Sequence, residues 1–218
     1  KLGIEASKIH VIPIGLDINN FKGEVKSLPI EEPIKIISIG RLVQLKGHLY
    51  SIRSVFHLVK KYSNIKYLIV GDGKYVKTLR NEVKKLKLEK NIIFMGKASQ
   101  KKVVKLLRES HISIMPSTYD DNNGRREAFG LVSLEAQAMG LPVIGFRSGG
   151  FPDTIVEGQT GFAVEDRNVD HLEEKIRYLI DNPDVYANMS QAAIKHAQKF
   201  DHHRTTQQYL DLYQKFNA

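Results

Sequence analysis

The feature that most limits how this chain can fold is a repeated alternation. Six short apolar runs, at residues 34–40, 65–71, 91–96, 111–117, 141–146 and 161–164, are interleaved with stretches whose apolar residues recur every three or four positions. IKIISIG, IKYLIVG and LPVIGF are apolar almost throughout rather than at every second residue. Strands of that kind are covered on both faces. The intervening stretches carry a single apolar stripe, as YVKTLRNEVKKLKL does with Val76, Leu79, Val83 and Leu86. This alternation predicts an α/β fold: a Rossmann-like, doubly wound parallel sheet of about six strands with right-handed crossovers.

After residue 166 the pattern is helical to the end, with helices expected over 168–180, 183–199 and 202–216. The chain therefore divides into a lead-in at residues 1–21, an α/β unit at 22–200 and a C-terminal helix at 201–218. The 42% hydrophobic content is enough to fill one sizeable core. There is no cysteine, which excludes a disulfide framework and any Cys-ligated metal. No apolar run reaches the roughly 18–20 residues of a membrane span, and the opening KLGIEASKIHVIP reads as the middle of something longer.

The net charge of +9 is unevenly spread. Residues 1–110 hold 23 Lys and Arg against 9 Asp and Glu; residues 111–218 hold 10 against 15. Residues 74–108 alone carry 12 basic and 2 acidic groups. Such asymmetry predicts an anionic partner for one face: a membrane surface, a nucleic acid or a phosphorylated substrate.

Chemistry concentrates in REAFGLVSLEAQAMG, residues 126–140, which begins with Glu127, starts a helix near Gly130 and sets Glu135 inside it. The loop lies past a strand's carboxyl end, where doubly wound sheets bind ligands. The first-turn N–H groups of Gly130, Leu131 and Val132, with the positive end of the helix dipole, suit a phosphate. Two flanking carboxylates suit hydroxyls. Hydroxyls on both sides of a diphosphate describe a nucleotide-sugar, one acid on the hexose and the other on the ribose. Glu135 sits between Leu134 and Ala136 in an apolar helix, and an acid there needs a partner. GRLVQLKGH, after the first strand, brings Arg41 and Lys46 to the same edge, one fork donor and one point charge for a diphosphate. VGDG supplies a tight turn there. Neither glycine cluster matches the P-loop or the G-x-G-x-x-G spacing. Asp120-Asp121 is the one acidic pair that raises a metal, and a solvated loop explains it as well.

These residues resemble the C-terminal, donor-binding domain of retaining GT-B glycosyltransferases of the glycosyl transferases group 1 family. The likeness covers most of the chain: VIPIGLDINNF, IGRLVQLKGH, LIVGDG, IIFMGKAS, EAFGLVSLEAQAMGLPVI, GGFPD and GQTGFAV. It implies that Arg41 and Lys46 bind the diphosphate and stabilise the leaving group. Glu127 contacts the transferred sugar and its developing positive charge. Phe129, Gly130 and Leu131 offer backbone N–H groups, Glu135 holds the ribose, and the segment around Gly96 and Lys97 borders the base. It implies a UDP- or GDP-sugar substrate, no metal or other cofactor, and same-face attack without a protein nucleophile. The acceptor, a glycan or lipid-linked molecule in cell-surface polysaccharide synthesis, would be held by an N-terminal domain absent from this chain, leaving it inactive alone. A cytoplasmic enzyme follows, with residues 74–108 near an anionic inner membrane face and no nucleic acid. Asp153 stands where the family commonly has Glu. The alternatives are a GT-B epimerase or hydrolase, and a basic nucleic-acid module.

Overall fold

The computed structural model describes residues 3–29, 31–119 and 124–217. Its centre is one parallel sheet of six strands: β1 (Ile34–Ile39), β2 (Ile65–Val70), β3 (Ile92–Gly96), β4 (Ile112–Met115), β5 (Val143–Phe146) and β6 (Gly161–Val164). Their order is β3-β2-β1-β4-β5-β6. The sequence runs outward from β1 to β3 and then returns to the other side of β1. The gap between β1 and β4, at their carboxyl ends, is therefore the switch point where such sheets form a crevice. β1 registers Ile36 against Ile112 of β4 and Ile34 against Ile65 of β2.

The expected helices are present. α1 (His48–Leu58), α2 (Val76–Lys85), α3 (Gln100–Arg108), α4 (Leu131–Ala138), α5 (Val169–Asp181), α6 (Pro183–Ala197) and α7 (His202–Asn217) differ from the sequence reading mainly at their ends. Alternate residues of each strand feed two separate cores, so the all-apolar strands are explained. Ile36, Tyr67 and Ile114 pack with α1, α2 and α5; Ile37, Leu68 and Met115 pack with α3 and α4. Each such side chain removed from water contributes about 1.5–3 kcal/mol. α6 reaches both layers, through Tyr186 and Met189 to one and Ala197 to the other.

The layering also sets where the charge of the segment Lys74 to Arg108 lies. All twelve of its basic residues are exposed, yet α2 and α3 lie against opposite cores. The charge wraps the β3 edge of the sheet instead of forming one plane.

The lead-in and the last helix stay together. Leu16 bridges to Asp201: its N–H donates to the Phe200 carbonyl at 2.7 Å, and its carbonyl accepts from His202 N–H at 2.9 Å. Gly15 is wedged there, since a Cβ would come within 2.5 Å of His202 Cα. Asp201 starts α7 by accepting from His203 N–H at 2.9 Å. Beyond this point the surface is apolar and uncovered: Ile9, Val11, Ile14, Leu210, Tyr213 and Phe216 are all exposed.

Candidate functional site

A cavity of about 280 Å³ opens at the β1–β4 switch point. Its floor includes Ser38 and Ile39 from β1 and Ile114 to Ser117 from the end of β4. The loop into α4 forms one wall, from Glu127 to Val132, and Lys46 and His48 form another. Six of the residues singled out from sequence thus meet in one place: Lys46, Glu127, Phe129, Gly130, Leu131 and Val132.

Lys46 and Glu127 are 81 residues apart in the chain, and Lys46 Nζ donates directly to Glu127 Oε2. Ser117 Oγ donates to the same oxygen at 3.1 Å. Both charged side chains are largely buried, at 21% and 14% exposure, so removing either one would strand the other charge away from water. Local backbone fixes each partner. Lys46 ends the 3-10 turn Gln44–Lys46, closed by Gly47 at φ +62°. A Cβ at Gly47 would lie 1.7 Å from the Pro116 carbonyl oxygen, so only glycine lets this turn sit against the end of β4. On the other side, Gly150 N–H donates to the Glu127 carbonyl at 3.0 Å. Gly149 has φ +57°, and a Cβ on it would meet that same carbonyl oxygen at 2.0 Å. The Gly149-Gly150 turn, quoted only as part of a motif above, is the backing of the Glu127 loop.

α4 begins at Gly130 in a left-handed conformation, φ +96°, with no side-chain cap. Its first N–H groups therefore face the cavity without a side-chain acceptor. A buried polar network holds this helix from behind. Gln137 donates to the Thr154 carbonyl at 2.6 Å and to Ser133 Oγ at 3.1 Å; Thr154 Oγ1 donates to Ser133 Oγ at 2.8 Å. His196 Nδ1 lies 3.0 Å from Gln137 Oε1. The sequence reading missed this network, because its members come from α4, the turn Phe151–Thr154 and α6.

Glu135 is half-buried on α4, outside the cavity lining. Among the described residues no protein group pairs with it. Burial alone pushes its carboxyl above the usual range. Arg41 also stands apart. It lines a second depression of about 420 Å³ with Gly71, Asp72, Gly73, Lys97 and Ala98, and this depression meets the first at Ile39. Gly96 is exposed beside it and accepts from Gly71 N–H at 2.9 Å.

Asp153 is exposed in the turn after Gly150. Asp120 and Asp121 lie outside the described residues. Asp201, His202 and His203 bring three potential metal-ligand atoms within 4.8 Å of one another. They are consecutive, and Asp201 already caps α7. His48 was not singled out from sequence; nothing in GRLVQLKGH marks its last residue as buried.

The strand order, the crevice and its glycine-led helix define a Rossmann-like unit of the kind that forms each half of GT-B glycosyltransferases. The chain belongs to the glycosyl transferases group 1 family, whose model matches residues 20–196. It is 31% identical over 196 residues to a GDP-mannose-dependent monoacylated α-(1-6)-phosphatidylinositol monomannoside mannosyltransferase of Corynebacterium glutamicum, covering 86% of this chain and 51% of that protein. The chain spans about half the length of the curated relatives it matches. Among solved structures, the C-terminal domain of a glycosyl transferase group 1 family protein from Francisella tularensis matches at 25% identity. Its TM-score is 0.73, over 85% of this chain and 97% of that one. Anabaena HepE, solved with UDP, shares the fold at a TM-score of 0.84 and 24% identity, over 98% of this chain and 59% of that one.

Proposed function

We propose that this chain is the donor-binding half of a retaining glycosyltransferase that takes a hexose from UDP or GDP. The observation that carries the reading is the meeting of Lys46, Glu127 and the uncapped start of α4 in one cavity at the β1–β4 switch point. A diphosphate over the α4 N-terminus gains its N–H groups and dipole. Lys46, and Arg41 from the adjoining depression, would neutralise the departing nucleoside diphosphate as the bond from the anomeric carbon to the phosphate oxygen breaks. Glu127 would then face the positive charge left on the sugar, held in place by Lys46 and Ser117. The acceptor oxygen would enter on the face that the diphosphate leaves, its proton passing to the departing phosphate. The base would take the depression of Arg41 and Lys97, and the ribose hydroxyls would go to Glu135, which burial holds in a raised-pKa state and which has no protein partner among the described residues. Relatives named for GDP-mannose and solved with UDP support either base.

The acceptor is inferred to be a glycan or lipid-linked molecule used in cell-surface polysaccharide synthesis. A relative named for a phosphatidylinositol mannoside supports that class. It would be held by a second half resting on the exposed apolar surface of residues 9–14 and α7. Ile14 belongs both to that surface and to the cavity rim, so this half would close the cavity. We infer the domain limits 1–21, 22–200 and 201–218, and no transfer by this chain unaided. Among the described residues no helix is long and apolar enough to cross a membrane. The charges around the β3 edge support peripheral contact with anionic lipid at an inner membrane face. Phe94, covered by Arg80 at 4.6 Å from its ring centre, offers no open platform for nucleic-acid bases.

Calorimetry with UDP, GDP, UDP-glucose and GDP-mannose tests the reading. Binding of one nucleotide series is expected. Failure of all four ligands to bind the folded chain would overturn it.

A further inference from the structure

A second, polar cavity of about 560 Å³ lies at the other end of α4 from the cavity described above. It opens at the amino ends of the strands, since His111, which leads into β4, and Met139, which ends α4, both line it. Residues 22–27 form its outer wall, and that wall is pinned. Gly23 N–H donates to the Ala138 carbonyl at 3.1 Å, and Lys26 N–H donates to Ser190 Oγ at 2.8 Å. Ser190 in turn donates to the Gly140 carbonyl at 2.7 Å. A Cβ at Gly23 would fall 2.3 Å from Met139 Cα, so only glycine permits this contact.

α3 and α4 both end here, and the carboxyl end of a helix attracts cations. The end of α3 is already covered. Lys26 Nζ donates to the carbonyls of Leu107 at 3.4 Å, Arg108, and Ser110 at 2.8 Å, so its three donors are used while its charge stays. What is left unmatched in the cavity is positive. His111 Nδ1 accepts from Lys35 N–H at 3.0 Å, which places the ring proton on Nε2. Burial, then the charges of Lys26 and Lys35, lower the His111 pKa to about 4, so the ring is neutral at pH 7. Among the described residues its Nε2–H has no acceptor, and this nitrogen is not sealed from solvent. Lys22 and Arg108 are exposed and, among the described residues, have no carboxylate partner. Glu109, beside Arg108, pairs with Lys105 instead. Three cations thus line the cavity against one carboxylate, Glu24.

We propose that this cavity binds a phosphate group, held by Arg108, Lys22 and the His111 Nε2–H, with Lys26 as a fixed charge behind them. A guanidinium fork, a point charge and a neutral donor suit a compact group with several oxygens. The surplus of two positive charges matches a phosphate dianion better than a carboxylate. The assignment does not use the donor-binding reading, because the site lies at the opposite end of the sheet. α4 links the two cavities, with Gly130, Leu131 and Val132 at one and Met139 at the other.

The test uses the 218-residue chain. Imidazole nitrogen-15 signals are followed at pH 7 and constant ionic strength as inorganic phosphate, glycerol 3-phosphate or acetate is added. The His111 signals should shift saturably with at least one of the two phosphates and stay still with acetate. Tighter binding of glycerol 3-phosphate identifies a phosphate ester as the ligand; tighter binding of inorganic phosphate identifies the free ion. The His111 pKa should rise from about 4 when phosphate is bound, because a neighbouring anion favours the imidazolium. Arg108→Gln keeps the backbone carbonyl that Lys26 uses, and should bind the preferred phosphate about 3- to 10-fold more weakly. Lys105→Gln removes a charge from the same helix outside this cavity, and should bind it as the wild type does. His111 signals that ignore both phosphates, that move equally with acetate, or a loss in Lys105→Gln equal to that in Arg108→Gln, would overturn the site. The wild-type spectra decide the matter even if Arg108→Gln does not fold.

Discussion

At the scale of single residues, the two glutamates differ in what they already have. Glu127 is paired with Lys46 and Ser117, while Glu135 has burial and, among the described residues, no protein partner. Glu135→Ala is expected to weaken binding of nucleoside diphosphate by about 1–3 kcal/mol, the scale of a lost charged hydrogen bond. Glu127→Ala should spare the nucleoside diphosphate and weaken only the nucleotide-sugar. Equal losses for both ligands in both variants, measured by calorimetry, would contradict these roles. A second expectation concerns acid. His48 and His111 both titrate near 4 in the folded chain, lowered first by burial and then by nearby lysines. An unfolded histidine titrates near 6.5. Between these values the unfolded chain binds more protons, so stability is fully present above about 6.5 and is lost as pH falls toward 4. His48→Phe should lose less of its urea midpoint between pH 7 and 4.5 than the wild type does. Identical losses would mean that His48 is not buried as neutral imidazole.

At the scale of elements, the site depends on backbone that carries no chemistry. A side chain at Gly149 would strike the Glu127 carbonyl. Gly149→Ala is therefore expected to displace the Glu127 loop and cut nucleotide-sugar affinity at least about tenfold, roughly 1.4 kcal/mol, with a smaller effect on free nucleotide. Unchanged affinity for both ligands would show that the loop does not need this support. Gln137→Leu should destabilise the fold by about 1–3 kcal/mol by stranding His196 and the Thr154 carbonyl, read as a lower denaturant midpoint at constant slope. The same contrast explains what was legible in the sequence. IKIISIG and YVKTLRNEVKKLKL announce their elements because burial on two faces or on one stripe must be written in residue type. The helix start at Gly130 was legible from its glycine. The 3-10 turns Gln44–Lys46 and Phe151–Thr154 were not, since a few hydrogen bonds decide them. Nor was the Lys46–Glu127 pair, because no local pattern encodes contacts over 81 residues.

At the scale of the whole molecule, two surfaces stand out. The basic residues surround the β3 edge from both layers, so only part of them can meet a flat membrane at once. Binding to vesicles containing anionic lipid should be weak and should vanish at high salt, where screening shortens to a few ångströms. Co-sedimentation that ignores lipid charge, or persists in molar salt, would remove the patch from consideration. The other surface is apolar and formed by the lead-in and α7 together. These segments are strapped to each other where Leu16 bridges Asp201. The intervening chain therefore leaves and returns at a single point, which makes it a closed loop in the topological sense. A unit of that form can be spliced into a surface turn of an unrelated host, or have its ends joined and new ones cut elsewhere, without separating any two strands of the sheet.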